Sequence, residues 1–206
     1  MAHNIAMNAD TLERLRSRAS QHFIDSIAVK QEAQKTLPEQ VARAVIAIAE
    51  CLRAGGKVMA CGNGGSAADA QHFAAELIGR FERERRELAA IALTTDTSIL
   101  TAVGNDYGYD DIFSKQVRGL GKAGDILIGI STSGNSKNVV KAIEAAKKLG
   151  IHIIALTGNG GGKMASLLEG ADVHLCVPST RTARIQETHL VLLHALCDGV
   201  DHLLLD

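Results

Sequence analysis

The sequence predicts an α/β fold, a parallel sheet with helices on both faces, preceded by an N-terminal helical segment. Two observations carry this. Five short, mostly apolar runs recur along the chain, as expected of strands buried on both faces. Stretches with helical apolar spacing separate them, so each strand is followed by an element that can return the chain to the same edge of a sheet.

Residues 10–54 hold two helical stretches, the first marked by Phe23, Ile27 and Val29, the second by Val41, Val45, Ile46, Ile48 and Leu52. Pro38 separates them and suits an early helix position, where its missing N–H costs nothing. Gly55-Gly56 closes the second helix, and 57–61 reads as the first strand. The other strands fall at 90–93, 125–130, 151–156 and 172–177. Helices are expected between them at 67–80, 96–103, 110–120, 137–149 and, briefly, near 163–168, with a long one over 181–205. The 206 residues thus divide into a helical portion, 1–54, and an α/β core, 55–206, of a single domain.

Composition excludes several functions. Net charge is −1 and the pI about 6.7, so no global field draws the chain onto nucleic acid or an anionic membrane. Residues 1–19 carry too many charges for a signal peptide, and no apolar run is long enough to cross a bilayer. Cys51, Cys61, Cys176 and Cys197 form no C-x-x-C pair, which removes zinc knuckles and dithiol redox motifs and makes a reducing cytoplasm the expected location. The charge-alternating run 80–87 reads as a solvated, salt-bridged face.

In parallel sheets ligands bind beyond the carboxyl ends of the strands, which directs attention to the loops 62–66, 94–96, 131–136, 157–162 and 178–181. Ser131-Thr132-Ser133-Gly134-Asn135-Ser136 places four hydroxyls between a strand and a helix start. The unpaired N–H groups and dipole of that start suit a phosphomonoester. The same residues also permit a plain reading, with Ser136 capping the helix and the rest forming a turn. A Walker lysine is absent, which argues against a nucleoside triphosphatase.

Gly62, Gly64 and Ala67 satisfy the G-x-G-x-x-G/A dinucleotide pattern, with Asp96 as a candidate ribose acid. Asp96 lies roughly thirty positions beyond the turn, where that pattern wants roughly twenty, and a dinucleotide leaves the Ser131 loop unexplained.

His72 and Glu76 share a helix face, and Arg184-Ile185-Gln186-Glu187-Thr188-His189 leads to His194. Moving a proton between adjacent carbons needs a base and an acid of this kind, and the same groups can hold zinc as a Lewis acid. A surface His–Glu pair and a satisfied core histidine are the alternative readings. Gln186 and His194 are about 12 Å apart along a straight helix, though only about 80° apart in direction, so one metal takes both only if both side chains reach toward it, the helix end unwinds or a neighbouring subunit supplies one. His189, one turn from Gln186, is the substitute ligand.

These segments together resemble the sugar isomerase (SIS) domain family. The likeness covers nearly the whole chain and rests on the stretches 61–76, 103–108, 130–136, 155–158 and 184–187. It implies a five-stranded, flavodoxin-like three-layer sandwich, a homotetramer, and active sites near subunit contacts. It implies substrate binding by Asn63, Gly64, Gly65, Glu76, Asn105, Asp106, Ser131, Thr132, Ser133, Ser136 and Gln186. It implies one zinc per subunit at His72, Glu76, Gln186 and His194, with Glu76 and His194 as the proton-transfer pair. The implied reaction converts sedoheptulose 7-phosphate to D-glycero-D-manno-heptose 7-phosphate through an enediol, the first step toward ADP- or GDP-heptose for cell-surface polysaccharide. A second branch of the family resembles a non-catalytic regulator that binds the replication initiator; it lacks the catalytic acid and the late histidine. The chain departs from the family pattern in having no proline at 85–89 and in carrying Ala183 where some members have an acid.

Overall fold

The structure is a computed structural model and describes residues 9–205. Helix α1 (Ala9–Thr36) passes almost without a break into α2 (Pro38–Arg53), with Pro38 at the amino end of the second. There follow β1 (Val58–Gly62), α3 (Gly65–Ile78), β2 (Ala90–Ala92), α4 (Thr97–Tyr107), α5 (Ser114–Leu120), β3 (Ile126–Ser131), α6 (Lys137–Lys148), β4 (His152–Thr157), α7 (Gly162–Ala165), β5 (Val173–Cys176) and α8 (Thr182–Leu205). The expected elements are all present. Most bounds shift by a residue or two; the larger differences are that α4 runs four residues beyond the expected 103, the helix expected over 110–120 begins at Ser114 after a 3-10 turn at Tyr109–Asp111, and the short helix near 163–168 is a single turn.

All five strands are parallel, in the order β2-β1-β3-β4-β5. The order reverses between β1 and β3, which pair directly with Gly62 opposite Ile130. A crevice opens at such a reversal because the two chains leave the sheet edge toward opposite faces. The glycine turn and the hydroxyl loop flank that crevice.

Alternation along the strands divides the core. Ile126, Ile128, Ile130, Ala60 and Leu156 point toward α2, α3 and α8, while Leu127, Met59, Cys61 and Ile153 point toward α5 and α6. Strands β1 and β3 are buried at every position, as a three-layer sandwich requires. Each fully buried Leu or Ile contributes about 1.5–3 kcal/mol, so both faces hold the sheet.

Helix α8 corrects one expectation, for it has the length and apolarity of a membrane-crossing segment. Its Ile185, Leu192, Leu193, Leu196 and Val200 are buried, as are its Arg184, His189 and Asp201. It packs along α2 and α3 as a core helix.

At the amino edge of the sheet Asp125 gathers three donors. Its Oδ1 accepts from the Lys57 amide at 3.0 Å, its Oδ2 from the Lys122 amide at 2.8 Å, and the Lys57 ammonium closes the ion pair. These bonds join the starts of β1 and β3.

Candidate active site

The hydroxyl loop leaves β3 with Ser131 buried and Thr132 half-buried, while Ser133 is exposed. Ser136 precedes α6 but its side chain does not cap the helix. Its hydroxyl lies 2.9 Å from that of Ser131 instead. The plain capping reading of Ser136 therefore fails, and the amide of Val139 is served by the neighbouring Asn138 side chain at 3.0 Å. The turn is held by Gly134 N–H donating to the Ser131 carbonyl at 3.0 Å, with Gly134 at φ +66°. A Cβ there would collide with the Gly161 backbone, so this position accepts only glycine. The loop is also bonded to its neighbour: Met164 N–H donates to the Gly134 carbonyl at 2.9 Å and Lys163 N–H to Asn135 Oδ1 at 2.8 Å.

The glycine turn lies on the other side of the crevice, and one amide pair connects the two. Asn63 and Asn138 exchange side-chain hydrogen bonds, each 2.8 Å, and the Tyr109 hydroxyl donates to Asn63 Oδ1 at 3.1 Å. A cavity of about 160 Å³ beside the turn is lined by Gly62, Asn63, Gly64, Thr94, Tyr109 and Phe113, among others. Asn138 and Tyr109 were not singled out in the sequence; Asn138 is hidden within an otherwise amphipathic helix start. Asp96 caps α4 by accepting from Ile99 N–H at 2.8 Å, which commits the acid that the dinucleotide reading wanted for a ribose.

The acid–base candidates meet on the outer side of α3. His72 Nε2 and Glu76 Oε1 are 2.9 Å apart, with the Glu76 side chain 22% exposed. The His194 ring stands edge-on to His72, centroids 5.2 Å apart at 77°, and rests on Phe81 at 5.5 Å. His194 is half-buried, so it is neither a core histidine nor a free surface one. One turn earlier, Asp69 keeps an unpartnered buried oxygen; burial raises its pKa, partly offset by the charge of His72. Nothing in its spacing set Asp69 apart.

Gln186 does not join this group. It lies against Gly65 at the start of α3, where an added Cβ would approach its Nε2 to 2.5 Å. Because α8 is continuous, about 12 Å of rise separates Gln186 from His194. His189 is not a substitute ligand: it is fully buried, its Nε2 donates to the Thr157 carbonyl at 3.0 Å, and burial lowers its pKa to about 4 despite that bond. Two imidazoles and a carboxylate suit zinc by donor chemistry. Among the described residues, however, no three His, Cys, Asp or Glu side chains are arranged around one point as a metal shell. Asn105 and Asp106 lie exposed in the last turn of α4, which continues past its expected end at 103, and bond to each other at 2.8 Å.

A larger concavity lies elsewhere. A groove of about 580 Å³ between α1, α2 and α8 is walled by Ala33, Leu37, Val41, Val45 and Leu192 and their neighbours, and contains none of the candidate residues. Beside it α1 exposes Leu15, Phe23, Ile24 and Ile27. Apolar walls of this kind suit a protein surface rather than a sugar.

Over residues 21–158 the sequence matches the family described as SIS domain. It is 62% identical over 192 residues to the phosphoheptose isomerase of Neisseria gonorrhoeae (strain NCCP11945), covering 93% of this chain and 98% of that one. It is equally 62% identical over 189 residues to that of Dechloromonas aromatica (strain RCB), covering 92% and 96%. Among solved structures, a phosphoheptose isomerase from Neisseria gonorrhoeae superposes with a TM-score of 0.87 at 59% identity, over 91% of this chain and 99% of that one. A phosphoheptose isomerase from Francisella tularensis gives the same TM-score at 46% identity, over 93% and 98%.

Proposed function

The chain belongs to the SIS-domain family, among its phosphoheptose isomerases, and from that premise we propose how its residues interconvert sedoheptulose 7-phosphate and D-glycero-D-manno-heptose 7-phosphate. The observation that carries the assignment is the contact of His194 with the His72–Glu76 pair across α3 and α8. A carboxylate at rest only accepts protons, whereas an imidazole can also donate one. Glu76 accordingly takes a proton from C1 of the ketose as the C1=C2 bond forms, and His194 supplies a proton to O2. The resulting enediol gives its O1 proton to the now neutral His194 imidazole, C1=O forms, and C2 regains a proton from the acid form of Glu76, which returns both groups to their starting state.

The phosphate is held by Ser131, Thr132, Ser133 and Ser136 at the start of α6, where unpaired amides and the helix dipole favour an anion. Asn63, Gly64 and Gly65 approach the sugar from the opposite side of the crevice, with Asn105 and Asp106 as further hydroxyl partners. Glu76 sits eleven residues into α3, roughly 16 Å of rise from Gly65. That rise sets Glu76 well back along α3 from the crevice beside the hydroxyl loop. We therefore assign the complete site to contacts between copies in a homotetramer, with Gln186 entering from a neighbouring chain. The apolar groove and the exposed face of α1 support such assembly. Among the described residues, the side chains of one chain do not form a metal shell by themselves, so zinc held by His72, Glu76, Gln186 and His194 would need a neighbouring chain to complete the set, and there it would polarise the carbonyl as a Lewis acid. A cytoplasmic location follows the cysteine usage: Cys51, Cys61, Cys176 and Cys197 are all free thiols.

The test is turnover of sedoheptulose 7-phosphate by the purified chain and by Glu76→Gln, each with and without added zinc. Loss of turnover with retained phosphosugar binding is expected for Glu76→Gln. Turnover unchanged in that variant removes Glu76 from its role. A wild-type chain that binds a protein partner but never turns over would favour the regulator reading.

A further inference from the structure

The segment between α3 and β2 was expected to be a solvated charged face, yet the side chain of Arg85 within it is buried. Its side chain is 1% exposed and that of its partner Asp201 is 5% exposed, with Nε donating to Asp201 Oδ1 at 2.6 Å. The rest of the guanidinium reaches the carboxyl end of α3. Nη2 donates to the Glu76 carbonyl at 2.7 Å, and Nη1 to the Leu77 and Gly79 carbonyls at 2.9 and 3.1 Å. It also reaches the Arg86 carbonyl at 3.2 Å. The last carbonyls of a helix have no intrahelical donors and carry the negative end of its dipole, so a buried cation is well placed there.

The position of this cation matters because of what it connects. One of its acceptors is the backbone of Glu76 itself. Its counter-ion, Asp201, lies seven residues after His194 on α8, two turns on and therefore on the same face. Cys197, buried between them on that face, lies close enough to both Glu76 and Asp201 to feel their charges. A single planar group thus fixes the turn bearing Glu76 against the helix bearing His194. We propose that Arg85 and Asp201 are positioning residues for the proton-transfer pair: the clamp sets the register of α3 against α8, and with it the approach of Glu76 to His194. This rests on Glu76 and His194 being that pair.

Lysine at 85 keeps the charge but cannot serve Asp201 and four carbonyls at once, since its ammonium lacks the planar fork. An apolar pair at 85 and 201 removes the clamp while sparing the fold, because well-packed apolar replacements of buried ion pairs are often neutral or stabilising. The experiment measures kcat, KM for sedoheptulose 7-phosphate and thermal midpoint for Arg85→Lys, for the double variant Arg85→Met with Asp201→Leu, and for Glu76→Gln. Displacements of about 1 Å can cost about a hundredfold in rate, and we expect kcat to fall at least about tenfold in both clamp variants. KM should stay within about twofold, since the phosphate loop is on other elements, and the double variant should melt near the wild type. Wild-type kcat in either soluble clamp variant overturns the proposal, as does a loss that appears only as raised KM or only in proportion to unfolded protein. Should the double variant not fold, Arg85→Lys decides alone by the same criteria. The Glu76→Gln arm separates the two readings: if it retains turnover the acid–base assignment fails, whereas if it is inactive while the clamp variants are fully active only the clamp fails.

Discussion

Replacing Asp125 with alanine should destabilise the protein by about 3 kcal/mol while leaving its chemistry intact. The side chain is 3% exposed and accepts from two backbone amides, those of Lys57 and Lys122. Hydrogen bonds to a charged group are worth about 1.5–3 kcal/mol each, and their loss strands two donors. The ion pair with Lys57 adds little, because the lysine side chain is 26% exposed and its ammonium can turn to water. The cost of burying the carboxylate offsets part of the sum, which brings the expected loss to about 3 kcal/mol. Burial alone would raise the pKa of Asp125, but the Lys57 ammonium and the two amides reverse this and hold it below 3.8. Its stabilisation is therefore complete above that value and is lost as pH falls through the lower folded one. Urea unfolding at fixed protein concentration measures the loss, and kcat/KM per folded molecule checks the chemistry. A loss under about 1 kcal/mol at neutral pH would refute the hydrogen-bond argument. A fall in kcat at unchanged stability would refute the placement of Asp125 away from the site.

His189 is buried neutral with a pKa of about 4, so stability should decline as pH drops below about 6.5, by about 2 kcal/mol between pH 7 and 5. His189→Gln keeps a donor for the Thr157 carbonyl without titrating, and its unfolding curves should be flatter over that range. Gly134→Ala meets the Gly161 backbone and a disfavoured φ, so KM for the phosphosugar should rise about tenfold or more, a loss of about 1.4 kcal/mol per decade, with helix content by circular dichroism unchanged. Asn138→Ala releases Asn63 from both reciprocal bonds, each worth about 1 kcal/mol, and should lower kcat/KM about tenfold. Asn138→Asp keeps an acceptor but sets a negative charge beside the phosphate loop, so its kcat/KM should fall further.

The elements were legible because each strand is a closed apolar run and each helix a periodic one. The same signal located the loops of the crevice, since a loop in a parallel sheet inherits its place from the strand before it. What stayed hidden depended on contacts distant in sequence. Arg85 looked like its neighbours Arg83 and Arg86, and only the return of α8 beside α3 supplies the Asp201 that pairs with its buried side chain. Alternating charge is informative on a regular element, and residues 79–89 form none. Asn138 pairs across 75 positions, and no local pattern marks such a partner. The carriage of α4 through Asn105 and Asp106 was missed because the helix was expected to end at 103, just before Gly104, yet a helix tolerates an internal glycine at about 1 kcal/mol. The separation of Gln186 from His194, by contrast, followed from helix rise alone.

The seating of Gly134 against the Gly161–Gly162 backbone constrains how such a chain can change over generations. A side chain at 134 requires the neighbouring loop to withdraw first, and that loop is bonded back through Met164 and Lys163. Neither loop can drift alone. The two loops are inherited as one unit, and lineages that acquire a different anion grip would be expected to have exchanged both together.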